Sequence, residues 1–345
     1  MTGKKVSPGK LLVNWAAVIV LILSIIFFSV MKGNAFFSWT NCINILRSMS
    51  TVTIFALAAT VSMAPDGFDM AAGTLGTFCA YVFASFYLWF AMPLWLCIVL
   101  TIVFAMVMYL ITMFLILVCK VPDMLATCAL QFVHQGLGLA YTGGSAVSAG
   151  MTVASWAEAF RGGESAAARS GWIYYHDPVA QTGVVDARDI GKDPWIIIIM
   201  IICVVICYIL LERTKYGRYL YAMGGNKTAA KLSGINVKKM RFMAGMFAAL
   251  FIAVGGIVVC SRNSAAQING SDSYLMTSLA AVFIGRSIGG REKYNAIGTA
   301  IGALLITVLE NGMTMCGVVY YVLPAVKGAV LCLALVAAYA TSKED

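Results

Sequence analysis

Charge is scarce in this chain. Only 11% of its 345 residues are Asp, Glu, Lys or Arg, where a soluble domain carries about 25%. That shortage excludes a water-soluble globular protein. Histidine occurs twice, with no Cys/His cluster beside it, which argues against a zinc or redox centre. The ten cysteines lie mostly in apolar stretches without paired spacing, so they do not form a disulfide framework or a ligand set. They read as small membrane-buried residues, and Cys203 and Cys207, one helical turn apart, as packing. No nucleophile elbow, metal motif or carboxylate pair is present, and no catalytic residue is expected. The string GGNKT at 224–228 lacks the spacing and the strand–loop–helix context of a phosphate loop. The chain is therefore not expected to hydrolyse ATP by itself.

What it does have is apolar sequence: 61% of residues are hydrophobic and the mean hydropathy is +0.87. This predicts an all-α polytopic membrane protein, a single transmembrane domain over residues 1–345. Apolar runs predict ten spans. They fall near Leu11–Met31, Ile43–Met63, Phe68–Phe86, Pro93–Val118, Met124–Tyr141, Trp195–Leu211, Phe242–Cys260, Tyr274–Gly285, Ala296–Met315 and Val319–Tyr339. Breakers and small residues in PDGFDMAAGTLG, after the second run, predict an interrupted or closely packed helix. Gly285 with Gly289 and Gly298 with Gly302 predict close helix approach.

The loop after the sixth span carries most of the charge. Between Glu212 and Arg241 eight Lys and Arg stand against one acid, +7 of the chain's +9. The positive-inside rule puts residues 213–241 in the cytoplasm. Residues 143–194, with a small acidic excess, then fall outside, and both termini inside. Spans two to five start outside and seven to ten start inside, the parity of two inverted repeat units.

A short helix is predicted within the basic loop. Asn226 suits an N-cap, Lys227–Ser233 one or two turns, and Gly234 the left-handed residue that ends them. Ala229, Ala230 and Leu232 are small or apolar, Lys227 and Lys231 share a face, and Ile235 follows. Physics alone leaves two readings for such a helix: docking into another protein, or lying on anionic headgroups.

Polar groups inside the spans are few. Gln131, His134 and Gln135 share one face of the fifth. At about 1.5 Å per residue, His134 sits roughly 15 Å from the helix start, near the bilayer midplane. Such a face points at a cavity or makes an interhelical hydrogen bond. Glu310 and Lys327, rare charges in the last two spans, are expected to pair.

The stretch YGRYLYAMGGNKTAAKLSGINV resembles the coupling-loop signature of permease subunits of bacterial ABC importers. The resemblance is to the ribose, galactose and autoinducer-sugar group of the branched-chain amino acid and monosaccharide permease family. It extends through NILRSMSTVTIFALAATV, DGFDMAAGTLG, KVPDMLATCALQFVHQGLGLAYTGG, GIVVCSRNSAAQ, YLMTSLAAVFIG and NAIGTAIGALLITVLENG. It implies a type II-like importer permease in the bacterial cytoplasmic membrane. Asn226, Lys227, Ala229, Ala230, Lys231, Leu232, Ser233, Gly234 and Ile235 would dock on a separate ATPase subunit, which binds ATP and Mg. This chain itself holds no cofactor or metal. A second permease copy or paralogue and an extracytoplasmic solute-binding protein complete the implied assembly, in the lipid bilayer and without nucleic acid. A pathway for a monosaccharide or related solute needs hydrogen-bonding groups and apolar walls; Asp69, Gln131, His134, Gln135, Glu310 and Asn311, with Phe68 and Phe132, are the candidates. In the resembled family an amide usually stands at the position of Glu310. An ion-coupled secondary transporter is the alternative, with His134 and Asp69 as its available coupling groups, and an integral membrane enzyme is a third class.

Overall fold

The structure is a computed structural model. It describes residues 8–90, 92–148, 157, 187–288, 293–319, 321–326, 328–329 and 332. Six helices among these are long and apolar enough to cross a membrane. They are α1 (Pro8–Lys32), α2 (Trp39–Met63), α4 (Leu94–Leu117), α6 (Trp195–Tyr208, continued by a π turn over Ile209–Arg213), α9 (Val237–Asn263) and α11 (Ala296–Met315). Between them lie α3 (Ala72–Leu88), α5 (Asp123–Thr142), α7 (Lys215–Gly225), α8 (Lys227–Leu232) and α10 (Ser273–Ser287). The α3 helix is apolar but has 17 residues, α10 has 15, and α5 has 20 but is more polar. The expected tenth span, Val319–Tyr339, lies largely outside the described residues, as does most of 143–194.

The third span begins later than its apolar run suggests. The α2 helix ends at Met63, residues 64–71 are not helical, and α3 starts at Ala72. At the other end of α2 the order reverses. Residues 39–42, ahead of the apolar run that starts at Ile43, are already helical, because the Ser38 side chain accepts a hydrogen bond from the Asn41 N–H and caps the helix. Lys215–Gly225 reads as plain loop in sequence but forms α7. Gly217, Leu220 and Met223, three apart, form its buried side, and Thr214 caps it through Gly217 N–H.

The chain divides into two compact units. Unit 1 comprises Met1–Asp66, Met200–Val237 and Met276–Asp345. Its centre is α2 on α11, joined by a 2.8 Å hydrogen bond between the Thr60 and Thr299 hydroxyls. Asn311 adds a second link, donating to the Asn41 side-chain oxygen at 2.9 Å. The small-residue reading holds at Gly285 of α10 and at Gly298 and Gly302 of α11; Gly289 lies outside the described residues. A Cβ on Gly285 would lie 2.4 Å from the Gly298 carbonyl carbon, and one on Gly302 2.2 Å from the Ala281 oxygen, so the two backbones touch.

Unit 2 comprises Gly67–Ile199 and Lys238–Leu275. Its axis is α3, of whose 17 residues only Phe86 is not buried. Small side chains let neighbours close in: a Cβ on Gly256 of α9 would stand 2.4 Å from the Gly76 oxygen. Tyr141 of α5 shares a 2.6 Å hydrogen bond with Ser85 of α3. A short antiparallel pair, β1 (Val147–Ser148) with β2 (Ala265–Ala266), ties the end of α5 to the end of α9. Each unit thus contains one long helix from the other half of the chain: α2 lies in unit 1, apart from α3–α5, and α9 in unit 2.

Candidate functional site

In unit 2 a small polar recess forms between α3, α5 and the segment before α10. Thr74 and Thr77 come from α3, His134 and Gln135 from α5, and Asn269 and Asp272 from the connecting segment. Thr77 donates to the Asp272 carboxylate at 2.9 Å and accepts from the Ser271 N–H at 3.0 Å. Gln135 donates to the Asn269 side-chain oxygen at 3.1 Å. His134 is 1% exposed, and neither ring nitrogen has a hydrogen-bond partner among the described residues. The recess has a volume of about 10 Å³, room for about one water. A neutral imidazole offers one donor and one acceptor, and the carboxylate and amides around it offer both. The recess therefore offers a water or a single hydroxyl both donors and acceptors.

The sequence-derived pathway residues separate. His134 and Gln135 meet in the recess; Gln131, on the same face, is half-buried but does not line it. Phe132 is 67% exposed, on the outer side of α5, and is not a wall of the recess. Asp69 is buried elsewhere in unit 2: its carboxylate accepts from Ala71 N–H at 2.8 Å and from Tyr109 hydroxyl at 2.9 Å. Phe68 is half-buried and its N–H donates to Asp123 at 3.4 Å. In unit 1, Asn311 is engaged with Asn41 as described, and Glu310 lines a separate apolar hollow with Thr277, Ile306 and Met313. Its expected partner Lys327 lies outside the described residues.

One cluster was not legible in the sequence. Asp123, at the start of α5, forms a largely buried ion pair with Arg241 in α9. Thr127 accepts from the Met70 N–H at 3.2 Å. Together with the Asp69–Tyr109 bond, these hold residues 67–71 in place. Arg241 counts among the eight bases of the loop, yet it is buried and paired, so the loop exposes less charge than its sequence implies.

The loop helix in unit 1 has the expected form. The Asn226 side chain accepts from the Ala229 N–H at 2.9 Å. Gly234 sits at φ +83°. The Ile235 N–H reaches back to the Ala230 oxygen at 3.1 Å, and the Gly234 N–H to Lys231, which is a Schellman end. Ser233 donates to the Ala229 oxygen at 2.9 Å. Ala230 is the buried anchor, while Leu232 is 84% exposed, with Lys227, Ala229 and Lys231 exposed beside it. The helix thus presents an apolar tip flanked by two cations, with both ends capped. The preceding α7 seats it: a Cβ on Gly224 would lie 2.3 Å from the Ala64 oxygen at the end of α2. Tyr221 donates to the Tyr294 oxygen at 2.6 Å, just before α11.

Comparison with known proteins gives the context. The family described as branched-chain amino acid transport system / permease component matches residues 41–339. The chain is 28% identical over 335 residues to the ribose import permease protein of Escherichia coli strain K12, covering 97% of this chain and 96% of that one. It is 29% identical over 331 residues to the ribose import permease protein of Haemophilus influenzae, covering 95% and 94%. With the xylose transport system permease protein of the same organism it shares 26% over 342 residues, covering 90% and 91%. No solved structure matches.

Proposed function

This chain belongs to the family of branched-chain amino acid transport system permease components, and on that premise we propose that it is the membrane-spanning subunit of an ATP-driven importer for a monosaccharide or related small polar solute. Two permease chains form the pathway, as a homodimer or with a paralogue. A separate ATPase binds ATP and Mg, and an extracytoplasmic solute-binding protein delivers the solute. The complex sits in the bacterial cytoplasmic membrane.

The observation that carries this reading is the doubly capped α8, exposed at Leu232 on the most basic stretch of the chain. Closure of the ATPases pushes on α8. Through α7 the push reaches the end of α2 at Ala64, α6 at the π turn and the segment before α11 at Tyr294, all within unit 1. Interfaces packed backbone to backbone shift as bodies and do not bend. The solute passes the His134–Asp272 recess, which takes a hydroxyl where a water would sit.

Ten spans in two inverted units remain our reading of the architecture. It draws support from matched layouts. A long helix, a short non-helical break and a short helix recur in α2–α3 and in α9–α10. Each break carries a Gly-x-Asp triplet, Gly67–Asp69 and Gly270–Asp272.

The test is purification of the tagged chain from its native membrane, followed by mass spectrometry. An ATP-binding protein should co-purify and be lost when Asn226–Gly234 is altered. A second reading, an ion-coupled secondary transporter, is favoured by one observation: the buried His134 without a hydrogen-bond partner. A lone chain that moves solute down an imposed ion gradient would establish that reading and overturn the first.

A further inference from the structure

Unit 1 carries a second cavity, of about 400 Å³, lined by Leu211, Glu212, Arg218, Tyr221, Lys293 and Asn295. No residue of α8 belongs to it. Part of its wall is held by hydrogen bonds. Tyr221 is tied to the Tyr294 oxygen. Asn295 accepts from the Gly298 N–H at 2.6 Å and donates to the Lys293 oxygen at 3.0 Å. The Lys293 ammonium lies 5.5 Å from the Tyr221 ring centroid, within cation–π range. Burial, and then the neighbouring Glu212, push the Tyr221 phenol well above its ordinary value, so it remains a neutral donor. Two cations against one carboxylate leave a single positive surplus.

The cavity also has an apolar approach. Ile201, Ile202, Val205, Ile206 and Ile209 are exposed along one face of α6, spaced as a helical stripe, and the same helix continues into the π turn that supplies Leu211 and Glu212 to the cavity. A basic pocket at the end of an exposed apolar helix face matches one class of molecule: a single negative charge attached to hydrocarbon. We propose that this cavity binds the phosphodiester headgroup of an anionic phospholipid, with its acyl chains along the α6 stripe. Arg218 and Lys293 hold the phosphate, and Tyr221 fixes the Lys293 side chain. The inner leaflet supplies the lipid. The proposal uses the orientation argued above and nothing else of the transport reading.

The experiment is native mass spectrometry of the full-length chain in detergent with equimolar phosphatidylglycerol and phosphatidylcholine. The wild type should retain phosphatidylglycerol about ten-fold over phosphatidylcholine, a difference equivalent to roughly 1.4 kcal/mol. The double variant Arg218→Gln/Lys293→Gln should bring the ratio near one, whereas Lys227→Gln/Lys231→Gln, which removes equal charge from α8, should leave it unchanged. Glu212→Gln should raise it. No preference in the wild type would overturn the proposal, and so would equal loss in both double variants, which would indicate diffuse loop charge. Binding of glycerol phosphate as tight as that of the lipid would also overturn it, in favour of a soluble anion. Retained lipid preference in Arg218→Gln/Lys293→Gln with loss of the co-purifying ATPase would assign the cavity to that partner instead.

Discussion

At Gly234 the backbone sits at φ +83° and a Cβ would meet nothing within 4 Å. The cost of a side chain there is therefore conformational and not steric, about 1–2 kcal/mol, and more for a β-branched one. Gly234→Val should loosen the end of α8 and weaken ATPase co-purification while leaving membrane insertion intact. Asn226→Ala, which removes the N-cap, should weaken it by about 1 kcal/mol from the other end. Normal assembly and transport in both variants would remove α8 from the coupling path. His134 gives the opposite kind of prediction. A buried polar group without a partner costs about 1–3 kcal/mol, so His134→Leu should hold or raise the melting temperature of the purified chain while slowing uptake by the full importer. A clear drop in melting temperature would mean that the ring already has a bound water or solute as its partner. These local features were legible because a cap, a turn glycine and a polar face are each written in a few neighbouring residues. The recess was only half legible: His134 and Gln135 could be picked out, but Thr77 and Asp272 come from elements far away in the chain.

Elements were legible where hydropathy marks them and not where packing does. Helices α1, α2, α4, α6, α9 and α11 follow their apolar runs. The α7 helix is basic and contains three glycines, so composition hides it. Gly217 and Gly224 are there because α7 lies directly on the Leu211 and Ala64 backbones, and the spacing of Leu220 and Met223 was its only signal. The break between α2 and α3 is held by the Asp123–Arg241 pair, whose partners lie in α5 and α9. Neither residue signals the other in a single sequence; each reads as an end-of-span charge. Removing one partner of a buried pair leaves the other charge uncompensated, about 3–5 kcal/mol, less here because Asp123 keeps some exposure. Asp123→Asn should therefore destabilise the purified chain strongly. Asp123→Asn/Arg241→Met should recover most of the loss, because no buried charge remains. Equal destabilisation in the single and double variants would mean that the pair does not hold the break, and that the Phe68 and Met70 backbone bonds do.

Over the whole molecule, the sequence suggested a first and a second set of four spans, and the natural expectation is that each set packs on itself. The structure exchanges a helix between them. Unit 1 joins α2 to α10 and α11, through Thr60 with Thr299 and Asn41 with Asn311. Unit 2 joins α9 to α3, α4 and α5, through the Gly256 contact with Gly76 and the Arg241 pair with Asp123. Hydropathy cannot encode such an exchange, since every span is apolar whichever partner it meets; it is written in small, polar and charged residues matched across more than a hundred positions of the chain. The consequence is testable without knowing the solute. If the chain is cut between α5 and α6, each half lacks the long helix that completes its own core. In unit 1 this strands the buried Thr299 and the half-buried Asn311 of α11, and in unit 2 the half-buried Asp123, each without its partner. Either half expressed alone should be inserted but degraded, while the two co-expressed should accumulate together and co-purify. Stable accumulation of one half by itself, with normal protease resistance, would show that each set of spans folds independently and that the exchanged helices only decorate two finished cores.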